Sequence, residues 1–153
     1  MIVHFAGSID ERTHFDKVIG SIPKELHVFA RNVPRINSEG VRAWVQYFQG
    51  LTEKGVDLKF FECSTAIVEQ LNLISNFSCG GSVESIFIPF VCHTCKSELV
   101  GLFETKNLTK KKFKLPGLQC TRCGGNVEFD DIQEEYFAFL RREFKKHPKG
   151  SKK

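Results

Sequence analysis

Four of the six cysteines stand in two pairs, CHTC at Cys92 and Cys95 and CTRCGG at Cys120 and Cys123, separated by the 24 residues 96–119. Two residues between cysteines let both sulfurs turn toward one ion in a tight knuckle. Two knuckles complete a tetrahedral four-thiolate shell of the kind zinc accepts at about 2.3 Å. Iron is the alternative metal, because four thiolates suit it as well. Gly124 and Gly125 follow the last cysteine and offer the positive backbone dihedrals that such a turn needs. A redox dithiol fits less well: a thioredoxin-like pair follows a strand and opens a helix, whereas CTRCGG runs into glycines, and a redox role does not call for two pairs. Four protein ligands leave no open position for water or substrate, so a structural site is expected, with His93 inside the first knuckle as a spare ligand. Cys63 and Cys79 bound apolar stretches and read as small buried hydrophobes.

A second group of residues centres on Ser38, with Arg35, Asn37 and Arg42 around it, at the start of an amphipathic run. A serine there accepts a hydrogen bond from a free helix amide, worth about 1 kcal/mol. A phosphate or other anion at the same place would be favoured by the helix dipole and the two arginines. Capping, anion binding or phosphorylation, and direct partner contact are all open to this residue. A third group, Lys110, Lys111, Lys112, Phe113 and Lys114, places an aromatic among cations, where it could stack on a base while the lysines meet phosphates. The acidic Asp130, Asp131, Glu134 and Glu135 beyond it interrupt a continuous basic track, and a solvated charged loop explains the lysines equally well. Asp10, Glu11 and His14 suggest an acid and base, but no nucleophile or phosphate-cradling loop accompanies them, and an enzyme is not expected.

These residues must be positioned by a chain of 153 residues, 41% of them hydrophobic, which suffices for a core. Charge is uneven: residues 1–89 carry eight Lys/Arg against ten Asp/Glu, and residues 90–153 carry fourteen against eight. The longest apolar runs, such as SIFIPFV, fall far short of the roughly 20 residues that span a bilayer, so no membrane insertion is expected. The N-terminus does not read as a secretory signal, and reduced cysteines place the protein in the cytoplasm. IVHFAG, ELHVFAR, VDLKFFE and ESIFIPFV read as strands. Residues 38–51 read as a helix with Val41, Trp44, Val45, Phe48 and Leu51 on one stripe, and Ser64 caps a second helix through TAIVEQLNLISNF. FDDIQEEYFAFLRREFKK reads as a third, opened by a capping box of Asp131 and Glu134, with Ile132, Tyr136, Leu140 and Phe144 as its stripe. The alternation predicts an α/β fold, a small mixed sheet covered by helices. A β zinc ribbon over 90–128 and a C-terminal amphipathic helix over 129–148 follow the first domain, 1–89, and 149–153 are expected to form a basic disordered tail. Asn72 and Asn76, on the polar side of the second helix, suit hydrogen bonds at the junction.

The order GSID, then VPRINSEGVRAW, then FFECSTAIVEQLNLISNF resembles the STAS family, the sulphate transporter and anti-sigma factor antagonist domain, over residues 2–88. A STAS-like half followed by a cysteine-paired ribbon also looks like a type of bacterial protein. The resemblance implies a STAS-like mixed sheet and, for members that act as anti-sigma antagonists, a loop serine phosphorylated by a partner kinase, whose charge state selects the bound protein. Ser38 falls at that serine; Asn37 stands where the family often has aspartate, Glu39 where it has a second serine, and Arg42 where a small residue is usual. The expected function is therefore a non-enzymatic regulatory or scaffolding protein acting through protein contact, with a kinase or anti-sigma-like regulator as partner and zinc as a structural ion. The alternative is a nucleic-acid-binding adaptor that uses the ribbon and its basic loop.

Overall fold

The computed structural model describes residues 1–108 and 118–146, with side chains described through residue 142. Four strands, β1 (Ile2–Ala6), β2 (Glu25–Asn32), β3 (Asp57–Phe61) and β4 (Ser82–Val83), lie side by side in chain order, and every pairing is parallel. The crossovers carry α1 (Phe15–Ile19), α2 (Ser38–Glu53) and α3 (Thr65–Leu73). Right-handed crossovers between strands laid in sequence order bring the helices to a single face. Burial alternates to match: Leu26, Val28 and Ala30 of β2 and Leu58 and Phe60 of β3 are buried, while Phe29, Arg31, Lys59 and Phe61 face the other way.

The expected stripe of α2 supplies the centre of the core. Trp44 stacks on Phe60 and Phe77 at 5.4 and 5.0 Å between centroids, and its Nε1 donates to the Phe77 carbonyl at 3.1 Å. That bond satisfies the one polar atom of the indole, so the ring is buried without a desolvation penalty.

A second, antiparallel sheet is built on β5 (Ser85–Cys92), flanked by β6 (Glu98–Glu104) and β7 (Val127–Phe129). Only Glu84 separates β4 from β5, and a parallel bridge, Cys63↔Ile86, ties β5 to the end of β3. The expected single mixed sheet is thus resolved into a parallel and an antiparallel part. β3 stops at Phe61 because Glu62, at φ +51, turns the chain toward the Ser64 cap of α3. β5 outruns it and takes antiparallel neighbours on both sides. ESIFIPFV is therefore the central strand of the second sheet rather than an edge of the first, and residue 89 falls inside it.

The C-terminal helix differs from expectation. It is interrupted at Phe137, giving α5 (Gln133–Tyr136) and α6 (Ala138–Lys146), after the short α4 (Thr105–Leu108). The Asp131–Glu134 capping box is absent: Asp131 Oδ1 accepts from its neighbour Ile132 N at 2.6 Å, and Ile132 occupies the cap position. The break is held from outside, as Asn72 Nδ2 donates to the Tyr136 carbonyl at 2.8 Å and Asn72 Oδ1 accepts from the Phe139 amide at 2.9 Å. Arg142 donates to the carbonyls of Leu71 and Asn72 at 2.6 and 2.9 Å, satisfying the end of α3. Tyr136, Phe139 and Leu140 are buried against this helix and β5, and the Tyr136 hydroxyl donates to the Phe87 carbonyl. Ile132, expected on the same stripe, is exposed, and Phe144 lies outside the described side chains. Among the described residues no helix is long and apolar enough to cross a membrane.

Candidate functional site

β5 delivers Cys92, buried, at its last residue. The chain then folds back so that Lys96 N donates to the Cys92 carbonyl at 3.0 Å and Cys92 N to the Ser97 carbonyl at 2.9 Å, with Lys96 itself at φ +61. The second knuckle repeats the pattern: Gly124 N donates to the Cys120 carbonyl at 2.9 Å and Cys120 N to the Gly125 carbonyl at 2.8 Å. His93 N donates to the Asn126 carbonyl at 3.1 Å and joins the two turns. Of the two glycines, only Gly124 has a positive φ, +73. Gly125 serves close packing instead, since a Cβ there would sit 2.6 Å from Thr94 Oγ1.

The sulfurs of Cys92, Cys95, Cys120 and Cys123 all lie within 4.8 Å of one another and could hold a metal ion; none of the cysteines is in a disulfide. Cys92 and Cys123 are 3.5 Å apart and Cys95 and Cys120 are 3.7 Å apart. A tetrahedral shell with metal–sulfur bonds of about 2.3 Å has edges of about 3.8 Å, so the spacing fits an ion, while a disulfide at about 2.05 Å would be much shorter. Cys92 and Cys120 are buried, Cys95 and Cys123 exposed. The Ser97 hydroxyl, 3.1 Å from Cys95 Sγ, and the Ser97 amide lower the Cys95 thiol to about 6. At Cys123 the Gly125 amide lowers the value, but the thiol of Cys92, burial and the other sulfurs outweigh it and raise the group to about 11. Without an ion the cluster therefore retains protons that a metal must displace. His93 takes no part in the group, its Nε2 lying 3.0 Å from Glu128 Oε1.

At the other constellation, the residue that caps α2 is Asn37 and not Ser38. Asn37 is extended, at φ −93 and ψ 177, and its Oδ1 accepts from Gly40 N at 2.8 Å, while Asn37 Nδ2 donates to Glu11 Oε2 at 3.0 Å. Both residues are competent caps by type; the loop from β2 decides, because Asn37 N donates to the Ile9 carbonyl at 3.1 Å and so fixes Asn37 outside the helix. Ser38 becomes the first helical residue, exposed, and its hydroxyl makes no hydrogen bond among the described residues. Arg35 and Arg42, near it in the chain, are exposed, with Arg42 3.9 Å from Glu39. Gly40 permits the approach of helix to loop, since a Cβ there would meet the Ile9 carbonyl oxygen at 2.4 Å. Asp10 is held low by Arg12, whose guanidinium is 2.8 Å away, and Glu11 by its own amide and Asn37; both serve the loop.

The spacing of residues does not disclose the contributions of Ile9, Glu11 and Gly40, because each depends on a partner in another segment, nor that of Ser97, whose contact with Cys95 depends on how the first knuckle closes. Lys110, Lys111, Lys112, Phe113 and Lys114 lie outside the described residues, as do residues 149–153. Comparison with known proteins finds no matching family model, no matching curated protein and no matching solved structure.

Proposed function

We propose that this chain is a non-enzymatic regulatory or scaffolding protein that works through protein contact, stapled by one structural zinc ion at Cys92, Cys95, Cys120 and Cys123. The observation that carries the reading is the exposed hydroxyl of Ser38 at the first turn of a 16-residue helix, relieved of capping by Asn37 and flanked by Arg35 and Arg42. A phosphate on Ser38 would meet free helix amides and two cations, and the added charge would change which protein surface the turn accepts. This is the partner switch of a STAS-like domain, with a kinase or anti-sigma-like regulator as the counterpart. The sheet suits a surface role: the described strands are laid in the order 1-2-3-4 with no reversal of order, so among the described residues they form no switch point of the kind at which doubly wound sheets bind nucleotides.

We take zinc as the ion, with iron the alternative that the same four thiolates suit; either would have a closed shell with no position for substrate. Metal analysis of protein purified without chelator is expected to give one zinc per chain; well below one zinc or iron would sink the metal reading. The switch is tested by affinity purification from the source cells with wild type, Ser38→Ala and Ser38→Asp, together with mass spectrometry of Ser38. Different partner lists for the two variants are expected. Identical lists and an unmodified Ser38 under every growth condition would leave a scaffold and remove the switch.

A further inference from the structure

The cysteine cluster meets solvent unevenly. Of the six cysteines only Cys95 and Cys123 are exposed, one from each knuckle, while Cys92, Cys120, Cys63 and Cys79 are buried. A staple needs no exposed sulfur, and burial of all four would protect the ligands from chemistry. Here each exposed cysteine instead has a buried one of the opposite knuckle within reach: Cys123 lies 3.5 Å from Cys92, and Cys95 lies 3.7 Å from Cys120, sulfur to sulfur. Oxidation-sensitive cysteines share three traits: thiolate character, access to solvent, and a neighbouring cysteine that resolves the first product. Bound zinc supplies the first trait by holding its ligands as thiolates, and the fold supplies the other two. We propose that the cluster, besides stapling the fold, is a site of reversible oxidation by peroxide, at which disulfide formation expels the ion. This rests on the metal reading above.

The electrons come from sulfur, because zinc has no redox chemistry of its own. The Cys123 thiolate attacks one oxygen of hydrogen peroxide: an S–O bond forms, the O–O bond breaks and hydroxide leaves, giving a sulfenic acid at Cys123. The Cys92 thiolate then attacks that sulfur, an S–S bond replaces the S–O bond, and a second hydroxide leaves. Two thiolates have lost two electrons, the peroxide has become two hydroxides that take protons from solvent, and the zinc, still divalent, has lost two of its four ligands. Cys95 and Cys120 repeat the sequence with a second peroxide, and the ion departs. Each sulfur pair closes from 3.5 or 3.7 Å to about 2.05 Å, a movement of about 1.5 Å. Both disulfides join one knuckle to the other, as the ion does, so the oxidised chain keeps β7 tied to β5. A thiol reductant and zinc then restore the starting state. Cys63 and Cys79, both fully buried, take no part.

The test treats the full chain, loaded with one equivalent of zinc, with low-millimolar hydrogen peroxide and follows free zinc with a chromophoric chelator. Zinc should appear in step with the loss of thiols, and a thiol reductant with added zinc should restore the bound ion. Peptide mapping without reduction should find Cys92 joined to Cys123 and Cys95 to Cys120, with Cys63 and Cys79 still thiols. Dimedone, a trap for sulfenic acid, should label Cys95 or Cys123 when present from the start. A chain that takes up no zinc would overturn the metal reading and this proposal together. A chain that binds zinc and keeps it through peroxide would overturn this proposal alone. Disulfides confined within CHTC and CTRC, a dimedone label on Cys92 or Cys120, or a zinc loss that no reductant reverses would overturn it as well.

Discussion

Replacing Asn72 with alanine removes the amide that spans the break between α5 and α6. Its two hydrogen bonds, 2.8 Å to the Tyr136 carbonyl and 2.9 Å from the Phe139 amide, serve groups at the end of one helix and the start of the next, where intrahelical partners are lacking. A net hydrogen bond contributes about 1 kcal/mol, and an abandoned buried partner adds up to about 1–3 kcal/mol. Both bonds are half-buried, so water recovers part of the loss and the expected destabilisation is about 2–3 kcal/mol. Trp44, the only tryptophan and buried, reports urea unfolding by fluorescence. With a urea slope of about 2 kcal/mol per molar, the midpoint should fall by roughly 1–1.5 M. Arg142→Ala removes two further bonds from α6 to α3, and the double variant should lose less than the sum, because both side chains hold the same pair of helices. Native-state hydrogen exchange should show the Phe139 amide losing protection in Asn72→Ala. A loss under about 0.5 kcal/mol, or unchanged protection at Phe139, would refute the account of why the helix breaks.

Gly40→Ala should raise helix propensity by about 1 kcal/mol but force a Cβ to 2.4 Å from the Ile9 carbonyl oxygen. A net loss of about 1–3 kcal/mol is expected, with faster exchange of the Asn37 and Ile9 amides; a more stable variant would contradict the close approach. Burial raises the Cys79 thiol from 9.0 to about 12. Its neutral form therefore contributes stability that is full below about pH 9 and lost as pH rises toward 12. The melting temperature should fall across that window, in the same direction as the buried Tyr136 hydroxyl requires, and less steeply in Cys79→Ala. Equal slopes for variant and wild type would rule out Cys79 as a contributor.

What the sequence discloses is what local spacing determines. The two cysteine pairs announce a four-sulfur cluster because each knuckle closes within a few residues, and the structure brings those four sulfurs together. The stripe of α2 and the Ser64 cap are likewise local, and the structure contains both. The interruption of the C-terminal helix into α5 and α6 is not legible in local spacing, because it is held by Asn72, 64 residues before Tyr136. The choice of Asn37 over Ser38 as the cap was hidden for the same reason: adjacent residues of equal capping competence are distinguished only by the hydrogen bond to Ile9. Alternation in ELHVFAR marks a strand with one buried face, but it does not say whether the half-apolar second face, with Phe29 and Phe61, is covered.

β5 bears on how such a protein can be taken apart. Its first residues pair with the end of β3, its middle packs on α3, and its last residue is a cysteine of the cluster. A cut at residue 89 would sever the strand between Ile88 and Phe90, both buried, stripping the parallel sheet of its neighbour and the antiparallel sheet of its central strand. The two halves are therefore not interchangeable cassettes. A recombination event that exchanged the antiparallel sheet and its cysteine cluster for another would have to carry β5 and re-form its seam with the segment after β3, so the two parts are expected to travel through evolution as one inherited unit.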